Sequence, residues 1–340
     1  MPTTPRAFIT GCAGPVLTPE EERFFAEKDP WGLIIFRRNV ETPGQVRALV
    51  SAFRAIVGRA DAPVLVDQEG GRVQRLAPPH WPAYPPAERF ARIAEAGDME
   101  GAKATARLGA RLMADDLASL GINVDCVPCA DLRLPEGHGI IGDRAYGVEP
   151  AQVATLARAA AEGLIEGGVL PVLKHIPGHG RARADSHESL PVVETPREVL
   201  EATDFAPFRL LADLPLGMTA HVVYTAIDPD HPATTSKRVL KEIVRDYLGF
   251  EGALMSDDLS MGALSGSLAS RTEAAFAAGC DLALHCNGKM AEMVEVASRT
   301  PQLSGEAARR CAAALDRLRS PGAFEVSQAR AQFSAMIATT

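Results

Sequence analysis

Lys174, His175, His179, Asp185 and His187 fall within one stretch, LKHIPGHGRARADSHESLP (173–191), which carries three of the eight histidines of the chain. Groups of these types hold, take and give protons near neutral pH, and imidazole does so without any shift from its ordinary pKa. A lone histidine is usually a packing residue, but this many polar groups punctuated by Gly178 and Gly180 read as an active-site loop, so an enzyme is the leading expectation. Two chemistries fit the spacing. In the first, Asp185 holds and charges the His187 imidazole two residues on, forming a general acid/base pair. In the second, His175 and His179, with Asp185 and His187, ligate a metal that activates water. Pro177 and Gly178 stand against that second reading, because they interrupt the helix that would bring the two histidines onto one face.

Further candidates follow apolar runs. GALMSDDLSM delivers Asp257 straight out of a strand-like segment, with Asp258 turned toward the loop or helix that follows. LVDQEGGRVQRL supplies Asp67, Glu69, Arg72 and Arg75, with Gly70 and Gly71 allowing a tight backbone path. Asp67 and Arg75 can clamp hydroxyl groups from two sides by charge-assisted hydrogen bonds, or simply pair with each other. Arg144 lies in the Gly-bounded loop IIGDRAYG, where an arginine is by default solvated. An aspartate nucleophile with a separate proton donor is the arrangement of retaining glycosidases.

These residues need elements to position them. Eight short apolar runs read as strands: 7–13, 32–36, 63–67, 123–128, 170–175, 216–221, 252–257 and 282–286. Apolar runs without polar alternation are the mark of parallel strands covered on both faces. Amphipathic helices are predicted between them at 43–56, 102–121, 151–168 and 236–249, with Thr42 and Ser236 at helix starts and Gly121, Gly168 and Gly249 at helix ends. The pattern predicts an α/β fold, a single (β/α)8 TIM-type barrel over the whole chain with a C-terminal helical extension from about residue 290. A doubly wound open sheet gives much the same local pattern. The barrel is favoured because Asp67, Lys174, His175, His221, Asp257 and His285 each end a predicted strand, and only a barrel makes all those ends converge on one face.

The chain has 340 residues, is 46% hydrophobic and carries a formal net charge of −8, so it can bury a large core and offers no basic stripe for nucleic acid. No apolar run approaches the roughly 18 residues needed to cross a bilayer, and the N-terminus is too weakly apolar for a secretory signal; no membrane partner and a cytoplasmic location are expected. Six cysteines are too sparse for a disulfide scaffold. Cys126 and Cys129, in CVPC, end an apolar run instead of opening a helix, which reads as packing rather than redox chemistry or zinc binding.

KHIPGHG…DSH, DQEGGRVQR, IIGDRAYG and SDDLSM, in this order, closely resemble the family 3 glycoside hydrolases, specifically the bacterial cytoplasmic β-N-acetylglucosaminidases of cell-wall recycling. The likeness spans roughly residues 7 to 290. It implies that Asp257 is the nucleophile, His187 the acid/base and Asp185 its support. It implies further that Asp67, Arg75, Arg144, Lys174 and His175 grip the hydroxyls of an N-acetylglucosamine ring. Members of this branch are single barrels without metal or organic cofactor, and the substrate implied is N-acetylglucosamine linked to 1,6-anhydro-N-acetylmuramic acid, with or without its peptide. A monomer acting on this small carbohydrate is the expectation. RAYG stands where the family more usually has RSFG, and Arg181 and Arg183 precede the Asp185–His187 pair, which leaves the acidic leaving-group side less determined than the chemistry. The loop from Gly178 to His187 is expected to move as a lid. Two readings from other classes stand beside this one: a metal-dependent amide or phosphoester hydrolase, and a sugar-binding barrel without activity.

Overall fold

The computed structural model describes residues 4–186 and 189–338. Eight strands, all parallel to their neighbours, close into one barrel: β1 (Arg6–Thr10), β2 (Pro30–Ile35), β3 (Val64–Val66), β4 (Val124–Asp125), β5 (Leu170–Ile176), β6 (Leu216–Thr219), β7 (Ala253–Asp258) and β8 (Leu282–His285), with β8 returning to β1. Each predicted strand overlaps one of these, and closure removes the open-sheet alternative. Helices follow each strand on the outside, among them Pro43–Val57, Met99–Ala118 and Pro150–Glu166.

The unbroken apolar runs have a direct cause. Alternate side chains of a strand point to opposite faces, and here both faces are covered. One face fills the barrel: Ile9, Ile34, Leu65, Val124, Val172, Met218, Met255 and Leu284 form a continuous buried cluster. The other packs under the helices, where Phe8, Leu33, Val64, Leu173, Leu254 and Ala283 join a second cluster with Val46, Phe53, Leu156 and Leu164. Cys126 is part of the barrel filling and Cys129 is also buried, consistent with packing thiols; burial holds both well above the ordinary thiol pKa.

Thr42 caps the helix from Pro43 by accepting from the Gln45 N–H, and Ser236 accepts from the Val239 N–H. The segment after Ser236 differs from expectation, since Val239–Tyr247 winds as a π-helix. Beyond β8 lie the helices Met290–Arg299, Gly305–Leu315 and Val326–Ala338. The last of these packs on Met99–Ala118, seating Phe333 where Gly109 has no side chain. Among the described residues no helix is long and apolar enough to cross a membrane.

Candidate active site

Strand alternation decides which polar residues reach the barrel axis. Leu65, Val172 and Met255 fill the barrel, so Asp67, Lys174 and Asp257, each two residues further on, face the C-terminal mouth. They line one cavity of about 160 Å3 together with Arg75, Arg144, His175, Glu69, Asp258, Phe36, Met218 and Cys286. Pockets for drug-sized ligands run to roughly 300–1,000 Å3; this smaller space suits a ligand of about one sugar ring.

The floor of the cavity is a charge network. Lys174, 2% exposed, sets its ammonium 2.9 Å from Asp67 Oδ1 and 2.6 Å from Glu69 Oε1. Arg75 donates to Asp67 Oδ2 at 2.9 Å, and Arg144 forks onto both Glu69 oxygens at 2.9 Å. Burial alone pushes these carboxyl groups up, but the cations outweigh it: Lys174 and Arg75 hold Asp67 well below the usual carboxylate range, and Arg144 and Lys174 bring Glu69 down to about 2. Lys174 is pushed up in turn by the same two carboxylates against its burial. All five groups are therefore charged, fixed by one another, and able to meet sugar hydroxyls as donors and acceptors without reorganising. Asp67 and Arg75 do pair, as the simpler sequence reading had it, and the pair itself lines the cavity. Arg144 is not a solvated loop residue, because Glu69 holds it and its side chain is 10% exposed.

Asp257 ends the inward face of β7. Its Oδ1 accepts from the Asp258 N–H at 2.8 Å, and its own N–H approaches Thr219 Oγ1 at 3.3 Å. Burial raises its pKa, and His221, His175 and that backbone N–H outweigh the rise, so the carboxyl group lies below its ordinary value and is ionised at neutral pH. An anion at the cavity wall can attack an electron-poor carbon or stabilise a cation. Asp258 turns away to accept from Ser260 and from the Cys286 N–H, the supporting role its position suggested.

Asp131 is a residue the sequence reading did not single out. Fully buried past β4, it accepts from His175 Nδ1 at 2.6 Å, from the His175 N–H at 3.2 Å and from the His179 N–H at 2.6 Å, and Cys129 Sγ lies 3.2 Å away. Although burial alone raises its pKa, His175 and His179 hold the carboxyl group well below the usual range. With Nδ1–H committed to Asp131, the His175 ring presents Nε2 to the cavity. The signal was present, since Asp131 also follows an apolar run, but CVPC hid where that run ended. Cys129, Asp131 and His175 lie close enough to hold a metal ion. Hydrogen bonding already accounts for the cluster, and the thiol resists the ionisation a ligand requires.

Two strand-end histidines do not join the cavity. Leu284 and Cys286 point inward, so His285 between them points out, where its Nε2 meets Glu292 Oε2 at 3.2 Å. His221 is fully buried behind Asp257. In the proposed acid/base loop, Asp185 is partly buried and His187 lies outside the described residues. The first half of that loop is closely packed at both of its glycines. A Cβ at Gly178 would fall 2.8 Å from Asp204 O, and one at Gly180 2.4 Å from Leu132 O. Arg181 is stapled to Asp204 at 2.7 Å and to Glu136 at 2.5 Å, so it is committed to the scaffold and not to a leaving group. His179, which the metal reading needed as a ligand, is buried with its pKa lowered to about 4 by that burial; its Nε2 lies 3.3 Å from Ser186 Oγ.

The sequence pattern of glycosyl hydrolase family 3, N-terminal domain, matches residues 18–319. The chain belongs to glycosyl hydrolase family 3. It is 40% identical over 291 residues to a β-hexosaminidase of Pseudomonas aeruginosa, covering 84% of this chain and 83% of that relative. A β-hexosaminidase of Alkalilimnicola ehrlichii is 41% identical over 294 residues, covering 82% and 80%. NagZ from Neisseria gonorrhoeae, solved in complex with N-trifluoroacetyl-D-glucosamine, superposes with a TM-score of 0.85 at 32% identity, over 100% of this chain and 98% of that one. This family 3 protein is a glycoside hydrolase, a β-N-acetylhexosaminidase, and its substrate is a carbohydrate.

Proposed function

We propose that the protein is a retaining exo-β-N-acetylglucosaminidase that releases N-acetylglucosamine from 1,6-anhydro-muropeptides through a covalent glycosyl–Asp257 intermediate, acting as a cytoplasmic monomer in a single barrel domain. The observation that carries the reading is an ionised Asp257 at the wall of a sugar-sized cavity whose floor is already charged and ordered. The Neisseria neighbour's N-trifluoroacetyl-D-glucosamine supports an N-acetylated sugar in that cavity. The four motifs shared with the cell-wall recycling branch support the anhydro-muropeptide.

Asp67, Arg75, Arg144, Lys174 and His175 hold the sugar hydroxyls and set C1 over the Asp257 carboxylate. Asp257 attacks C1 as His187 gives its proton to the departing glycosidic oxygen. His187, now a base, takes a proton from the water that displaces Asp257 from C1, and the sugar leaves with its β configuration retained. Asp185 supports the His187 ring through both steps. No step calls for a metal.

His187→Ala tests the proton donor. General acid help is worth about 10²–10⁴-fold, so hydrolysis of N-acetylglucosaminyl-anhydro-N-acetylmuramic acid should fall by that factor, while a nitrophenyl N-acetylglucosaminide, whose leaving group needs little protonation, loses far less. Equal losses on both substrates remove His187 from that role. On the parent enzyme, proton NMR of the first-formed sugar should show the β anomer, and a chelator should leave the rate unchanged. An α anomer overturns the covalent mechanism, and loss of activity restored by zinc or manganese favours the metal-dependent reading instead.

A further inference from the structure

The ladder between β6 and β7 stops at Met218–Met255, two residues before Asp257, and the pairing of β7 with β8 shifts register between Met255 and Asp258. The nucleophile therefore sits where regular sheet hydrogen bonding has ended. Side chains take over there. Thr219, His221 and Thr234 are all fully buried, and none of them lines the sugar cavity. His221 Nε2 lies 3.0 Å from the carbonyl oxygen of Asp258, His221 Nδ1 lies 2.7 Å from Thr234 Oγ1, Thr234 Oγ1 lies 2.7 Å from Thr219 Oγ1, and Thr219 Oγ1 lies 3.3 Å from the N–H of Asp257.

The direction of every bond follows from its end. A carbonyl oxygen only accepts, so His221 Nε2 carries the proton. Burial lowers the His221 pKa, favouring the neutral ring, and in that form, with its proton on Nε2, Nδ1 accepts. Thr234 then donates its single hydroxyl proton to that nitrogen in preference to the longer 3.2 Å approach to the Ala220 carbonyl. Thr219 must donate to Thr234, which leaves a Thr219 lone pair facing the Asp257 N–H.

We propose that Thr219, Thr234 and His221 form a one-directional hydrogen-bonded brace that holds the backbone on both sides of Asp257 and so aims the nucleophile at the sugar. All three are positioning residues; they touch neither substrate nor the reacting atoms. The brace also orients the Asp258 N–H, which donates to Asp257 Oδ1 at 2.8 Å. Because the sugar is gripped from β3 and β5 and by Arg144, loosening the brace should disturb the approach of Asp257 to C1 while leaving ground-state binding intact.

The inference rests on the nucleophile reading of Asp257 and is tested beside it, with a nitrophenyl N-acetylglucosaminide as substrate. A misplacement of about 1 Å can cost about 10²-fold in rate, and Thr234→Val, isosteric but without the hydroxyl, should lower kcat by about that factor while KM stays within about threefold. Thr234→Ser should restore kcat to within about threefold of the parent. His221→Gln, whose amide can still donate to the Asp258 carbonyl, should retain more activity than His221→Leu. A parent-like kcat in folded Thr234→Val, or a loss that falls on KM, overturns the brace. If Thr234→Val does not fold, Thr219→Val reads the adjoining link by the same split. Asp257→Ala separates the two ideas: if it is inactive while Thr234→Val is parent-like, only the brace fails, and if it stays active, the nucleophile reading itself fails.

Discussion

Asp257→Ala is expected to cut turnover of any N-acetylglucosaminide by ~10⁴-fold or more, about 5 kcal/mol of barrier, with the fold and sugar affinity close to those of the parent. The size follows from what replaces it. Asp258, the adjacent carboxylate, is committed to Ser260 and the Cys286 N–H, Asp67 to Lys174 and Arg75, and Glu69 to Arg144 and Lys174, so none of these three anions is free to attack C1. Deleting the side chain costs little stability, because the hydrogen bond it accepts is local, from the neighbouring Asp258 N–H. Intact-mass analysis with a 2-fluoro analogue makes the test direct, since the parent should gain the sugar's mass on the peptide carrying residue 257 and the variant should not. Activity within tenfold of the parent, about 1.4 kcal/mol, would sink the assignment.

Lys174→Met is expected to damage both stability and catalysis. Methionine has nearly the length of lysine but no charge, so Asp67 and Glu69 keep only one cation each, Arg75 and Arg144, inside a largely buried site. Removing one partner of a buried ion pair costs about 3–5 kcal/mol, which should appear as a clear fall in Tm at pH 7, and kcat/KM should fall by about 10²-fold or more as the hydroxyl-gripping groups lose register. The pH dependence has a definite sign. The folded Glu69 pKa of about 2 lies below the ordinary value of 4.5, so its contribution to stability is complete above 4.5 and is lost as pH falls toward 2. Lys174 supplies part of that depression, so the Tm gap between parent and variant should narrow as pH drops through that window. A gap that is absent at pH 7, or that widens on acidification, contradicts the network described for this cavity.

Much of the molecule was legible in advance. Eight apolar runs with helices between them became eight barrel strands, because only strands covered on both faces are apolar at every position. Asp67, Lys174, His175 and Asp257 were readable as one site, since a polar residue ending such a run has only the C-terminal mouth to occupy. The same rule misplaced His221, which is buried behind Asp257, and His285. It notes that a strand ends but not which side its last residue faces, and Leu284 and Cys286 had already taken the inward positions.

What composition, periodicity and motif determined is therefore local: element type, strand ends, the chemical kind of each candidate side chain and, through four ordered motifs, the family. The partners were decided by closure of the barrel. Asp131 reaches His175 across 44 positions and Glu69 meets Arg144 across 75, distances along the chain over which no periodicity carries information. Arg181 became a staple and Gly180 a packing contact only because Asp204 and the Leu132 carbonyl came to lie beside them. Ionisation belongs to the same level. Asp67 and Asp125 each follow β3 or end β4, yet Lys174 and Arg75 overcome burial to hold Asp67 charged, whereas Asp125 has no such cation bonded to it and burial drives its pKa far up. A charge in a barrel mouth is set by its neighbours across the sheet, and those exist only once the first strand meets the last.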